Sequence, residues 1–294
     1  MKKTGYIAIV GRPNVGKSTI LNAILGEKVA IVSNKPQTTR NRIIGIHTKG
    51  ESQFVFLDTP GIHSPKTRLG DYMVKAANTT MQDADAVVLV VEAGKKMTSV
   101  EENVIKYLKM ADVPAVLAVN KVDLADANEV AGTIIEYSKE HEFDAVVPVC
   151  AKNGSKVNEL LDECERFLSE DDWLFPEDMI TDQPERQMAA EIIREKLLRT
   201  LNKEIPHGIA VVIEEFREEE GLVRIRAEIF CEKESHKGII VGKKGAGLKL
   251  VGTYARQDLE KLLGTKVYLN LWVKVKENWR DSAGNVKNFG YFDE

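Results

Sequence analysis

The sequence predicts a two-domain chain: an α/β domain on a mainly parallel sheet, then a smaller α+β domain. Three observations carry this. Over residues 5–169 short, near-continuous apolar runs alternate with helical patterns, as expected of strands covered on both faces. Near residue 175 the periodicity breaks in a stretch rich in acids and proline. Beyond it, strand patterns alternate strictly between apolar and polar residues, giving one buried and one wet face.

A length of 294 residues suits two domains of roughly 100–200 residues each. The net charge of −4 means that any basic surface must be local. Cys150, Cys164 and Cys231 form no C-x-x-C pair, which argues against a disulfide framework or zinc site and for a reducing compartment. No apolar run approaches the ~18 residues of a membrane span, and Met1-Lys2-Lys3 leads directly into a strand pattern. The expectation is a soluble cytoplasmic monomer.

The first strand, residues 6–10, runs into Gly11-Arg12-Pro13-Asn14-Val15-Gly16-Lys17-Ser18. A helical pattern of Ile20, Leu21, Ile24 and Leu25 follows and stops at Gly26. Strand, glycine-rich loop, helix is the context in which this spacing cradles phosphate. Successive N–H groups turn inward as an anion nest, and the helix start adds partial positive charge. Lys17 brings a point charge to the β- and γ-phosphates, and the Ser18 hydroxyl can ligate Mg²⁺. The nucleotide-binding set here is Gly11, Asn14, Val15, Gly16, Lys17, Ser18 and Thr19. A plain glycine turn with a solvated lysine is the alternative, and the motifs downstream decide against it.

Residues 27–42 are polar and aperiodic, and a loop of that length in a compact domain is usually functional. Of its threonines, Thr39 is the candidate that senses a γ-phosphate through Mg²⁺. Residues 42–48 and 53–57, joined by Lys49-Gly50-Glu51-Ser52, read as an antiparallel hairpin. Its second strand runs into Asp58-Thr59-Pro60-Gly61. The carboxylate of Asp58 can hold a Mg²⁺-bound water, and the Gly61 N–H can bond the γ-phosphate until hydrolysis removes it. Lys17, Thr39 and Gly61 are thus the candidate catalytic residues. Ser18, Thr39 and (through water) Asp58 are the candidate Mg²⁺ ligands.

Strands follow at residues 86–91 and 115–119, the latter ending in Asn120-Lys121-Val122-Asp123. The Asp123 carboxylate can accept two bonds from the N1–H and N2 amine of guanine. Adenine lacks that donor pair and would leave the charge unmatched. Lys121 can lie over the base, while Asn120 ties it to the phosphate loop. A last strand, 145–149, ends in Cys150-Ala151-Lys152, where a backbone N–H can meet the guanine O6.

In this order the motifs resemble those of Ras-like GTPases of the translation-factor-related class. One departure stands out: Ile62 occupies the place of the glutamine that orients the attacking water in Ras-like enzymes. Turnover is then expected to be slow until another group or a partner completes the site. Asn14 resembles the asparagine of potassium-dependent GTPases, in which K⁺ supplies charge in place of an arginine finger.

Residues 171–184 have the composition of a linker, with Trp173, Leu174 and Phe175 suited to packing on a neighbour. The domain expectation is a G domain over 1–172, a linker over 173–184 and a second domain over 185–294. The second domain begins with a helix over 185–202 carrying Met188, Ala189, Ile192, Ile193, Leu197 and Leu201 on one face. Strands at 209–216 and 222–231 surround a turn, helical patterns lie on either side of Gly242-Lys243-Lys244-Gly245, and a strictly alternating strand occupies 266–276. The order is α-β-β-α-α-β. Residues 232–249 hold five lysines against two glutamates, a local excess of three positive charges (5 − 2). The bare backbone of a G-x-x-G turn lets a nucleic-acid strand lie close, with Lys237, Lys243, Lys244 and Lys249 for its phosphates. Ile239, Ile240 and Val241 can floor a groove for unstacked bases, which is the arrangement of a KH domain. Gly242 and Gly245 complete the candidate RNA-binding set.

Over nearly the whole chain this combination resembles the Era family of bacterial GTPases. The marks are residues 11–18, Pro36-Gln37-Thr38-Thr39-Arg40, Asp58-Thr59-Pro60-Gly61-Ile62-His63, residues 120–123, the run 180–186 and residues 242–245. The resemblance implies a P-loop GTPase domain followed by a type II KH domain, binding GTP and GDP with Mg²⁺. It implies binding to small-subunit (16S) ribosomal RNA near its 3′ end, a role in maturing the pre-small subunit, and peripheral contact with the inner membrane face in some members. Cys150 departs from the serine usual in the last motif. Two other readings remain open on the residues alone. One is an RNA-binding assembly factor whose nucleotide is structural, and the other is a GTPase whose second domain binds protein.

Overall fold

The computed structural model describes residues 1–62, 65–201 and 205–291. His63 lies outside them. Contact density divides the chain into two compact units. The first holds Met1–Ala30, Thr39–Pro65 and Met73–Asp182, and the second Ile31–Thr38, Lys66–Tyr72 and Gln183–Glu294.

The elements up to residue 170 are β1 (Lys3–Val10), α1 (Lys17–Leu25), β2 (Ile43–Lys49), β3 (Ser52–Asp58), α2 (Arg68–Gln82, of which residues 68–72 count with the second unit), β4 (Ala86–Glu92), α3 (Ser99–Ala111), β5 (Ala115–Asn120), α4 (Ala127–Glu140), β6 (Ala145–Pro148), α5 (Val157–Glu165) and β7 (Ser169–Glu170). The sheet order is β2-β3-β1-β4-β5-β6. All neighbours are parallel except the edge pair β2/β3, and β7 adds antiparallel to the start of β1. Alternation within the apolar runs feeds two cores. Ile7, Ile9, Val88, Val90 and Val116 pack with Ile20 and Leu21 of α1 and Leu160 and Leu161 of α5. Ala8, Val10, Leu89, Val91 and Leu117 pack on the other face with Val104, Ile105 and Leu108 of α3. Being buried on both sides, these strands show no polar alternation. Their carboxyl ends share one edge, where ligands of such sheets bind.

The stretch after β7 packs on the β2/β3 hairpin. The Trp173 indole N–H donates to the Glu51 carbonyl at 3.0 Å, and the Gln53 side chain pairs in both directions with the Phe175 backbone at 2.9 and 3.0 Å. Farther on, the Ile46 N–H donates to the Ile180 carbonyl at 2.9 Å.

The second unit contains α6 (Glu185–Thr200), β8 (Ala210–Glu219), β9 (Leu222–Cys231), α7 (Glu234–Val241), α8 (Ala246–Leu263), β10 (Lys266–Val275) and α9 (Ala283–Asn288). Its sheet runs β10-β9-β8, with β10 parallel and β8 antiparallel to β9. Val223, Ile225, Ala227 and Ile229 of β9 pack with Val251, Ala255 and Leu259 of α8 and Ile193 and Leu197 of α6. The helix α6 is not simply amphipathic, because Arg194, Glu195 and Lys196 are also buried. Buried charges need partners. Lys196 has Glu195 at 3.0 Å and Asp258 beside it, while Glu195 holds Arg199 at 3.0 Å.

The final helix and its preceding turn have no counterpart in the sequence reading, which ended at the last strand. They are anchored by Trp279, which has no exposed surface and donates its indole N–H to the Gly208 carbonyl at 2.9 Å. Trp279→Ala should lower the unfolding free energy by about 3–5 kcal/mol. Trp279→Phe keeps a ring and loses the bond, so it should lower stability by less; urea denaturation of the two variants checks the order.

Candidate functional site

The residues expected to meet phosphate converge at the carboxyl ends of β1 and β3. Gly11, Asn14 and Gly16 have φ of 146°, 65° and 107°, so the loop turns as an anion nest must. A Cβ on Gly11 would collide with the Val90 carbonyl, and one on Gly61 would sit 2.7 Å from the Pro13 backbone. Val15 is buried beneath the loop, and Thr19 lies half-buried in the first turn of α1. The Lys17 ammonium folds back over the loop and donates to the carbonyls of Gly11 at 3.1 Å and Arg12 at 2.9 Å. The Arg12 guanidinium is paired with the fully buried Glu101. Glu101 also closes the cap of α3 by accepting from the Thr98 N–H at 3.0 Å. A threonine–glutamate capping pattern is visible in the sequence, but its link to the phosphate loop is not.

Ser18, Thr39 and Asp58 meet at one point. The Ser18 hydroxyl donates to Asp58 Oδ2 at 2.5 Å and lies 2.9 Å from Thr39 Oγ1. Thr38 instead closes a local turn on the Lys35 carbonyl at 2.7 Å, so the two threonines have different tasks. Asp58 is fully buried, and its Oδ1 has no hydrogen-bond partner. Burial pushes the Asp58 carboxyl up to about 6, against the pull of Lys17. Burial lowers Lys17 to about 8, partly offset by Asp58. Ile62 donates its N–H to the Gly11 carbonyl at 3.2 Å, and its side chain packs, partly buried, against the core that contains Ala8 and Val10. It therefore ties this loop to the phosphate loop and has no means of orienting water.

At the ends of β5 and β6, the Asn120 side chain donates to the Val15 carbonyl at 2.8 Å and accepts from the Ala151 N–H at 3.1 Å. It joins the phosphate loop to the turn that follows β6. Lys121 has φ of 63° and pairs with Glu92 at 2.8 Å. Asp123 is exposed. Its Oδ1 accepts from the Cys150 thiol at 3.1 Å, so a sulfur donor stands at the position where serine is usual in the last motif. The Cys150 N–H donates to the Ser155 carbonyl at 3.0 Å, and Lys152 is exposed. A guanine O6 would therefore compete with acceptors already held by the Cys150 and Ala151 amides.

In the second unit, the Gly242–Gly245 turn bends between α7 and α8, with φ of 71° at Gly242, 52° at Lys244 and 80° at Gly245. A Cβ on Gly242 would come within 2.8 Å of the Gly247 N, so the two helices meet backbone to backbone. Lys243, Lys244 and Lys249 are exposed, and Lys237 is half-buried. One expectation needs correction. Ile240 is 1 % exposed within the core and Val241 packs partly against it, whereas Ile239 is 56 % exposed. The helical turn aims Ile240 inward, so it anchors α7 and cannot floor a groove.

Comparison with known proteins bears on the whole chain. Residues 6–121 match the family model of 50S ribosome-binding GTPases, and residues 204–280 match that of KH domains. The chain is 49% identical over 297 residues to the GTPase Era of Clostridioides difficile strain 630, covering all of both proteins. It is 48% identical over 290 residues to the GTPase Era of Ruminiclostridium cellulolyticum, covering 98% of this chain and 97% of the relative. The chain belongs to the Era family of GTPases. Among solved structures, a point variant of Aquifex aeolicus Era bound to GDP·AlF4⁻ superposes with a TM-score of 0.94 at 43% identity, covering 98% of this chain and 99% of that one. Era in complex with MgGDPNP and nucleotides 1506–1542 of 16S ribosomal RNA gives 0.95 at 43% identity, covering 99% of each chain. As an Era-family member the chain is a GTPase with a P-loop domain and a KH domain, so the reading in which nucleotide is only structural falls. Among the described residues no helix is long and apolar enough to cross a membrane.

The two shifted groups make proton exchange a readout of site filling. A cation beside Asp58 favours the carboxylate, and phosphate beside Lys17 favours the ammonium. Binding of Mg²⁺ and GDP should therefore release protons near pH 6 and take them up near pH 8. Calorimetry in buffers of differing ionisation heat gives the sign at each pH.

Proposed function

We propose that this chain is a GTP-driven switch whose KH unit binds small-subunit (16S) ribosomal RNA during small-subunit maturation. The supporting observation is the meeting of Ser18, Thr39 and the orphaned Asp58 oxygen beneath the Lys17 loop. Hydroxyl and carboxylate oxygens without histidine or thiol suit a hard cation, and Mg²⁺ is therefore the assigned metal. When bound, Mg²⁺ neutralises charge on the β- and γ-phosphate oxygens. Ser18 and Thr39 would hold it directly and Asp58 through water. Lys17 and the loop N–H groups position the phosphates, Gly61 bonds the γ-phosphate, and Asp123 selects guanine with Asn120, Lys121 and the Cys150–Lys152 turn around the base. Asn14 is assigned to K⁺.

The functional modules are taken as residues 1–172 and 185–294, joined by 173–184. Coupling is assigned to residues 31–38, which belong to the second unit. There the Val32 N–H donates to Glu195 at 3.0 Å, its carbonyl accepts from Arg199 at 3.1 Å, and the Thr38 carbonyl accepts from Arg194. Thr39 follows directly in sequence, so a pull on Thr39 at the γ-phosphate is transmitted along the backbone to α6. RNA and GTP must then alter each other's affinity by one factor. The cysteines are free and buried, in keeping with a reducing cytoplasm.

Calorimetry should show GTP and GDP binding with Mg²⁺ and no competition from ATP. Preference for ATP would end the proposal. Lys243→Asp with Lys244→Asp should abolish salt-dependent binding of a single-stranded RNA of about four nucleotides while GDP affinity stays unchanged. Exchanging K⁺ for Na⁺ should slow phosphate release; an unchanged rate removes Asn14 from its assigned role.

A further inference from the structure

The open face of the second unit's sheet carries an aromatic pair that the switch does not use. In β10, Val267 and Val273 are buried toward the helices, so the even-numbered residues look the other way. Tyr268 and Trp272 are 53 % and 58 % exposed there. Tryptophan is seldom left so open. The register sets Tyr268 beside Arg224, Asn270 beside Arg226 and Trp272 beside Glu228. The Arg224 guanidinium lies 5.3 Å from the centre of the Tyr268 ring while pairing with Glu219 at 2.9 Å. On the same open face Arg217, Arg224, Arg226, Lys266 and Lys274 stand against Glu215, Glu219 and Glu228, an excess of two positive charges (5 − 3), with Glu228 holding Lys274 at 2.5 Å. Toward the other end of β9, Phe230 is closed over by Phe289, with ring centres 4.6 Å apart.

Four residues along a strand separate the two exposed rings by ~13 Å. Each ring therefore takes its own flat partner, with the Asn270 amide between them. A protein contact would favour a continuous apolar patch; two isolated π faces among cations match bases and phosphates. We propose that this face is a second surface for unpaired ribonucleotides, separate from the Gly242–Gly245 turn, whose helices α7 and α8 pack on the opposite side of the sheet. Tyr268 and Trp272 stack the bases, while Arg224, Arg226, Lys266 and Lys274 meet the backbone. This rests on the reading of the chain as an RNA binder.

The test uses the full chain and two single-stranded RNA probes, one of about four nucleotides to fill the KH turn and one of roughly twelve to reach further. Trp272→Ala and Tyr268→Ala should each weaken the longer probe by about tenfold and leave the shorter unchanged. Trp272→Phe should keep most of the affinity yet lose the quenching of indole fluorescence that the longer probe causes. Unchanged affinity for the shorter probe shows that the second unit is folded in these variants. Undiminished affinity of both alanine variants for the longer probe overturns the proposal. So does intact RNA binding accompanied by loss of a co-purifying protein, which would make the face a protein site. If Lys243→Asp with Lys244→Asp spares both probes while Trp272→Ala weakens the longer one, the KH-turn reading fails and the sheet face stands.

Discussion

The ammonium of Lys17 and the carboxylate of Asp58, both sealed beneath one loop, set the terms for the rest of the first unit. Each is pushed toward its neutral form by burial, and each is only partly compensated by the other. A pair left in that state destabilises the fold, and an anion beside Lys17 with a cation beside Asp58 would relieve it. An anion there also constrains the surrounding backbone. The loop must bend through left-handed φ to present its N–H groups, and neighbouring elements must hold it there without side chains in the way. Val90 and Pro13 approach so closely that Gly11 and Gly61 have no room for a Cβ.

The loop is held from outside by polar contacts that sit in different elements. Asn120 grips the Val15 carbonyl from β5, Glu101 grips Arg12 from α3, and Ile62 bonds the Gly11 carbonyl. All three lie at the carboxyl edge of the parallel sheet, the edge where ligands of such sheets bind. The same logic governs the second unit, where α6 keeps three charged residues inside. Glu195 and Arg194 there satisfy the backbone of residues 32–38, a segment with no regular structure to satisfy it. Buried charge in α6 thus serves to hold a strandless segment in place.

The strands of the first unit were legible because burial on both faces demands continuous β-branched runs, and Val87, Val88, Leu89, Val90 and Val91 can hardly be anything else. The phosphate loop, Thr39, Asp58 and Asn120 were legible because their chemistry depends on residue type at fixed spacing. Other features were hidden. The helix around Ile240 was recognised, but which of three adjacent apolar residues points inward depends on how α7 docks. The two-residue β7 is too short for any periodicity, and the pairing of Cys150 with Asp123 joins residues from different strand ends.

By itself the sequence determined the element order, the strand–loop–helix of the P-loop and the glycine-bearing turns, because each depends on local backbone preference or on residues close along the chain. Only the tertiary structure decided which charges are buried, that Glu101 braces the phosphate loop, that Trp279 closes the second core and that Trp272 stays open. Those outcomes depend on which distant surfaces exclude water from a side chain, and no local pattern records that.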